Sequence, residues 1–194
     1  MANTDVMIDL ETLATSTDAA ILTIGAVKFD PFGDDKTDPK MESFYVRVDI
    51  DSCHDLGLVT NDDTIAWWGQ QSPEAQEEAF GTEGRVHIRD AFDQLHKFCR
   101  GAKRVWSNGA GFDVVVCETV FKRLNKAVPW AFWEVRDVRT AFDLGINPQR
   151  PTVTAHHALE DAWHQATGIQ IVYRTLAAST TSDGTYLTPF RNTR

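Results

Sequence analysis

Met7-Ile8-Asp9-Leu10-Glu11-Thr12 is the stretch on which the reading of this chain turns. A β-prone run over residues 4–10 ends in acids at i and i+2, and the strand period of two sets Asp9 and Glu11 on one face. Ionised neighbours repel, so a pair at a strand end needs a shared proton or a cation. Oxygen-only ligands suit Mg2+ or Mn2+. Two solvent-facing acids in a turn are the plainer alternative.

Working outward, residues 20–29 form a second β-prone run, closed by the turn signal Asp30-Pro31-Phe32-Gly33, after which residues 34–40 read as a polar loop. Residues 42–48 alternate Phe44, Val46 and Val48 on one face, as a half-buried strand should. Three consecutive strands with short links predict an antiparallel meander. Asn61 starts a helix into residues 65–70, and Ser72-Pro73 caps another with proline at its first position. Residues 86–100 have helical spacing through Ile88, Phe92, Leu95 and Cys99. Next come a strand at 103–107, a helix at 112–125 with Val115, Val116, Thr119, Val120 and Leu124 inward, and a fifth strand near 133–135. A short helix near 138–144, a loop at 147–151 and a last helix from about 157 to 176 complete a mixed α/β sheet covered by helices.

The 194 residues, 42% hydrophobic and 24% charged, suit one compact domain over 1–176 with a small, polar tail at 177–194. No apolar run reaches the ~18 residues of a membrane span, and residues 1–9 lack a signal peptide's basic flank, so the expected location is the cytoplasm and no membrane partner is expected. Cys53, Cys99 and Cys117 have no CxxC spacing and read as small buried hydrophobes. The net charge of −9 disfavours a polyanionic partner at face value, yet it is uneven: residues 1–96 hold 20 acids against 6 bases, while residues 97–139 hold 4 against 9. Lys103, Arg104, Lys122, Arg123 and Arg139 of that basic stretch are candidates to line a substrate path.

Two further stretches carry chemistry. In Trp106-Ser107-Asn108-Gly109-Ala110-Gly111-Phe112-Asp113 a strand enters a small-residue turn that permits close approach by a ligand. Asp113 alone would serve as a helix-start acid matched to the macrodipole. In His156-His157-Ala158-Leu159-Glu160-Asp161-Ala162, His156 can meet Asp161 only from a loop before the helix, because positions five apart on a helix diverge by ~140°. His157, Asp161 and His164 would instead make a helical metal face with zinc-type ligands, or an ordinary polar face.

Asp9-x-Glu11-Thr12, Asp113 about a hundred residues on, and His156-x-Ala158-Leu159-x-Asp161-Ala162 together resemble the DEDDh superfamily of 3′→5′ exonucleases. Thr64-Ile65-Ala66-Trp67-Trp68 and Pro129-Trp130-x-Phe132-Trp133-x-x-x-Asp137-Val138-Arg139-Thr140 narrow the resemblance to the branch of exodeoxyribonuclease VIII-like proteins, T-even phage exonuclease A and exoribonuclease AS. That resemblance implies a ribonuclease H-like fold with a mixed five-stranded sheet, the first three strands antiparallel. It implies Asp9, Glu11, Asp113 and Asp161 as ligands of two Mg2+ (or Mn2+) and His156 as general base. The implied reaction is hydrolysis of phosphodiester bonds from the 3′ end of single-stranded nucleic acid, DNA first and RNA as the alternative, releasing nucleoside 5′-monophosphates.

Thr12 would then bond the terminal 3′ hydroxyl with help from the backbone at Leu10 and Glu11, or merely cap a turn. Trp67 and Trp68 point ~100° apart on a helix, so one can stack on a base, although two core tryptophans are the commoner arrangement. Trp130, Phe132 and Trp133 read as core. Asn108 would hold sugar or phosphate or close its turn, and Arg139 would pair with Asp137 or reach a phosphate. Related exonucleases include dimers, so a homodimer is admitted. The rivals are a zinc hydrolase on the His157/Asp161/His164 face and a non-catalytic nucleic-acid-binding module.

Overall fold

The computed structural model describes residues 3–33, 41–144, 146 and 156–178. Strand β1 (Asp5–Thr12) pairs antiparallel with β2 (Ile21–Phe29), which pairs antiparallel with β3 (Glu42–Arg47). On its other side β1 pairs parallel with β4 (Arg104–Ser107), and β4 with β5 (Val135–Asp137), giving the sheet order β3-β2-β1-β4-β5. This is the mixed five-stranded ribonuclease H-like arrangement, with the meander first.

Helices α1 (Ile50–Asp55), α2 (Asp62–Trp68), α3 (Pro73–Phe80), α4 (Ile88–Cys99), α5 (Asp113–Arg123), α6 (Val138–Phe142) and α7 (Ala158–Ala178) cover the sheet. The pleat of β1 divides them. Val6, Ile8 and Leu10 pack into the larger core with Phe92 and Leu95 of α4 and Val120 and Phe121 of α5. Met7 packs on the opposite face with Ala162, Ala166 and Ile169 of α7. Asp9 and Glu11 continue the Met7 face, so the alternation that buries the strand also turns both acids toward α7.

Local chemistry sets the helix starts. Asn61 accepts from the backbone of Asp63 and Thr64, and Ser72 from that of Ala75 ahead of Pro73. Helix α1 has no counterpart in the expected elements, because six residues with little beyond Cys53 turned inward leave no readable period. Strand β1 runs past residue 10 to Thr12. Helix α5 buries Val114, Val116, Cys117, Val120 and Phe121 while Val115 and Thr119 stay half-exposed, since Asp113 itself lies in the buried stripe and rotates the helix.

The fifth strand begins two residues later than expected. Phe132–Glu134 forms a 3-10 turn before it, leaving Phe132 82% and Trp133 65% exposed; only Trp130 joins the core. Outside one turn at the sheet edge, their rings meet each other rather than a covering helix. The three cysteines are buried free thiols, as expected, and burial pushes Cys53 to about 11 and Cys99 to about 12. No described helix is long and apolar enough to cross a membrane. The expected loops at 34–40 and 147–151 lie outside the described residues, as does the expected tail beyond Ala178.

Candidate active site

Asp9 and Glu11 leave β1 on the side that α7 covers, and Asp161 descends from the first turn of α7. Ligand oxygens of the three lie within 4.8 Å of one another. What lets α7 come so close is Gly25, which stands opposite Asp9 in the β1–β2 register. A Cβ at Gly25 would sit 2.2 Å from the Ala158 carbonyl carbon and 2.3 Å from the Leu159 nitrogen. The start of α7 is held from the other side as well. The His157 ring lies 3.7 Å from Glu78 of α3, which also accepts from Arg47 at 2.9 Å and from the Tyr45 hydroxyl. His157 closes the helix start too, its carbonyl accepting from the Asp161 amide.

Asp113 adjoins this trio from α5. Its Oδ1 accepts the Leu10 amide at 3.2 Å, a bond that ties the helix start to β1. Burial pushes its carboxyl up to about 6, against the opposing pull of the Leu10 amide and the Arg139 guanidinium. Asp9 is pushed well above the usual carboxylate range, first by burial and then by the charges of Asp113 and Glu11, with Asp161 adding to them. The Gln165 amide works the other way, donating to Asp9 Oδ1 at 2.7 Å. Three carboxylates facing one space with Asp113 beside them, two of the four reluctant to ionise, fit a hard divalent cation that supplies the missing charge. Among the described residues this cluster is oxygen-only and contains no histidine. The zinc reading needs His157 as a ligand, and His157 is instead engaged with Glu78 and Tyr45.

His156 precedes α7 by two residues, as the helix argument requires, and adopts a left-handed φ of 68°. Its ring meets Trp67 edge-on at 4.8 Å and Trp68 at 5.9 Å. The Trp68 indole N–H donates to the Thr12 carbonyl, so the tryptophan pair links His156 to the end of β1. Trp68 is 1% exposed and offers no face to a base; Trp67 is 41% exposed. The expected pair of stacking candidates, or of core tryptophans, is thus one of each, because adjacent helical positions diverge.

Thr12 donates its hydroxyl to the Ala14 carbonyl, closing the turn, and retains lone pairs. The Leu10 amide is given to Asp113, so any help the Leu10 backbone gives Thr12 would come through its carbonyl. Asn108 is exposed at the turn. Beside it Gly109 (φ 119°) lies under Arg139, whose guanidinium carbon would be 3.6 Å from a Cβ there. Asp137 binds the Ala110 amide at 2.7 Å and caps α6 through Thr140. Not all of the basic stretch faces this site. Arg104 pairs with buried Asp5 at the opposite end of β1, and Arg123 with Asp18.

Three contributors escape a reading of motifs: Gly25, Glu78 and Gln165. A glycine inside a strand signals close backbone approach, and a glutamine four residues after Asp161 shares its helix face, so both carried a usable signal. Glu78, on a separate helix, carried none.

The chain is similar to known nucleases in sequence and in fold. The chain is 26% identical over 161 residues to the exodeoxyribonuclease of Enterobacteria phage T4, covering 72% of this chain and 70% of that protein. Its fold is similar to cell-death related nuclease 4 (TM-score 0.59, 16% identity, 89% of this chain), of whose length it spans 64%. The RNase domain of the yeast Pop2 protein is also similar (TM-score 0.56, 10% identity, 95% of this chain and 81% of that one). The family described as the 3′-5′ exoribonuclease Rv2179c-like domain matches residues 4–173. A match of that extent makes this chain a member of the Rv2179c-like 3′-5′ exoribonuclease domain family.

Proposed function

We propose that the protein removes nucleotides one at a time from the 3′ end of single-stranded nucleic acid by a two-metal-ion mechanism, releasing nucleoside 5′-monophosphates. The observation that carries the reading is the convergence of Asp9, Glu11 and Asp161 within 4.8 Å, beside Asp113. These four would hold two Mg2+ or Mn2+, which when bound polarise the scissile phosphate and balance the four negative charges.

The chain's own side chains supply the rest. Neutral His156, outside the helix and braced by two tryptophans, takes the proton of the attacking water. Thr12 accepts from the terminal 3′ hydroxyl with the lone pairs its turn leaves free. Trp67 gives its exposed face to the terminal base, a contact worth ~1–3 kcal/mol. Asn108 and Arg139, at the turn before Asp113, take sugar and phosphate.

DNA is the first reading, supported by likeness to the T4 exodeoxyribonuclease. RNA is the second, favoured by the description of the family. The two differ in whether a 2′ hydroxyl is tolerated. Matched single-stranded DNA and RNA labelled at the 3′ end, incubated with Mg2+, test all of this. Labelled 5′-mononucleotide should appear first, stop on chelation, and resume with Mn2+ but not Zn2+. Internal cleavage, or rescue by Zn2+ alone, refutes the mechanism, and the ratio of the two rates decides the sugar.

A further inference from the structure

Gln165 stands one turn beyond Asp161 on α7, on the helix face that covers Asp9. The ionised Asp9 that would hold a cation only accepts, and the amide nitrogen of Gln165 faces its Oδ1 at 2.7 Å. The amide oxygen of the same side chain is buried with no hydrogen-bond partner among the described residues. Methionine, of similar length, would leave no such orphan. It would also remove the donor to Asp9, and that bond is what glutamine supplies here.

The neutrality of the donor is informative. A lysine or arginine at this position would pair with Asp9, cancel its charge and compete with any cation. An amide fixes the direction of the carboxylate and leaves its full charge available. We propose that Gln165 is the positioning residue of the metal centre, orienting Asp9 toward a divalent cation without neutralising it. The proposal rests on reading the carboxylates as a metal site. Hydrogen bonds to metal-ligating groups typically change metal affinity ~10–100-fold when removed.

Mn2+ titration of the full chain, with free Mn2+ followed by electron paramagnetic resonance, tests it. The variants are Gln165→Met, Gln165→Lys and, on the same helix, Thr167→Val, whose lost hydroxyl donates only to the Trp163 carbonyl one turn back. Gln165→Met should bind Mn2+ ~10–100-fold more weakly. Gln165→Lys should lose Mn2+ binding while melting at a higher temperature than the native protein in EDTA, because its ammonium then sits among the carboxylates. Thr167→Val should bind as the native protein does. Native Mn2+ affinity in Gln165→Met, or Mn2+ binding retained by Gln165→Lys, overturns the role of Gln165. Failure of the native protein to bind Mn2+ overturns the metal reading beneath it, and the proposal with it.

Discussion

At Asp9 burial and three neighbouring carboxylates all oppose ionisation, and Asp161 is one of the three. Asp161→Asn removes one like charge, so it should abolish turnover yet raise the melting temperature of the metal-free protein; label release and thermal unfolding in EDTA measure the two. The adjacent histidines divide in the same way between chemistry and architecture. His156→Ala should lower kcat by ~10²–10⁴-fold, with little effect on folding. His157→Ala should retain most of kcat and cost about 1 kcal/mol of stability, since it gives up its place beside Glu78 and Tyr45. The reverse order of kcat losses would refute the assignment of the base. Helix geometry made these two residues distinguishable in the sequence. It could not say which of Trp67 and Trp68 turns inward, because that depends on how α2 rolls against β1.

Among the elements, the approach of α7 to β2 is the contact that assembles the site. Gly25→Ala would place a methyl 2.2 Å from the Ala158 backbone at the start of α7, so α7 should shift away from Asp9. A loss of about 2–3 kcal/mol in urea unfolding is expected, together with loss of Mn2+ binding by the folded protein. Near-native values of both would show that α7 is seated by other contacts. Strands β1 to β3 and the caps at Asn61 and Ser72 were legible because each rests on local spacing and one polar side chain. The exposure of Phe132 and Trp133 was not, because burial of an aromatic depends on whether another element reaches it, and the 3-10 turn lies at the edge strand.

Over the whole molecule, the charge of −9 is a property of the metal-free chain. The folded-state pKa of Asp113, about 6, and that of Asp9, raised well above the usual carboxylate range, both exceed their unfolded values of 3.8. Between those limits the folded protein holds protons that the unfolded chain has lost. Stability in EDTA should therefore fall as pH rises from about 4 through about 6 and beyond, on the order of 5 °C in melting temperature for Asp113 alone. Mg2+ at pH 7.5 should restore what is lost, and Asp113→Asn should flatten the slope in EDTA. A melting temperature that climbs with pH in EDTA over that range would contradict the burial of Asp113 and Asp9 that, with the neighbouring charges at Asp9, raises them.

The sequence by itself determined the strand alternation that turns Asp9 and Glu11 to one face, the loop position of His156 and the burial of the cysteines. Each follows from a backbone period or a side-chain preference that acts within a few residues. Tertiary structure alone decided that Asp161 meets Asp9 and Glu11, that Asp113 occupies the Leu10 amide, and that the Gln165 amide donates to Asp9. Those contacts join residues a hundred or more positions apart. Their geometry is set by where one helix comes to rest on the sheet, and the missing side chain of Gly25 allows it to rest there.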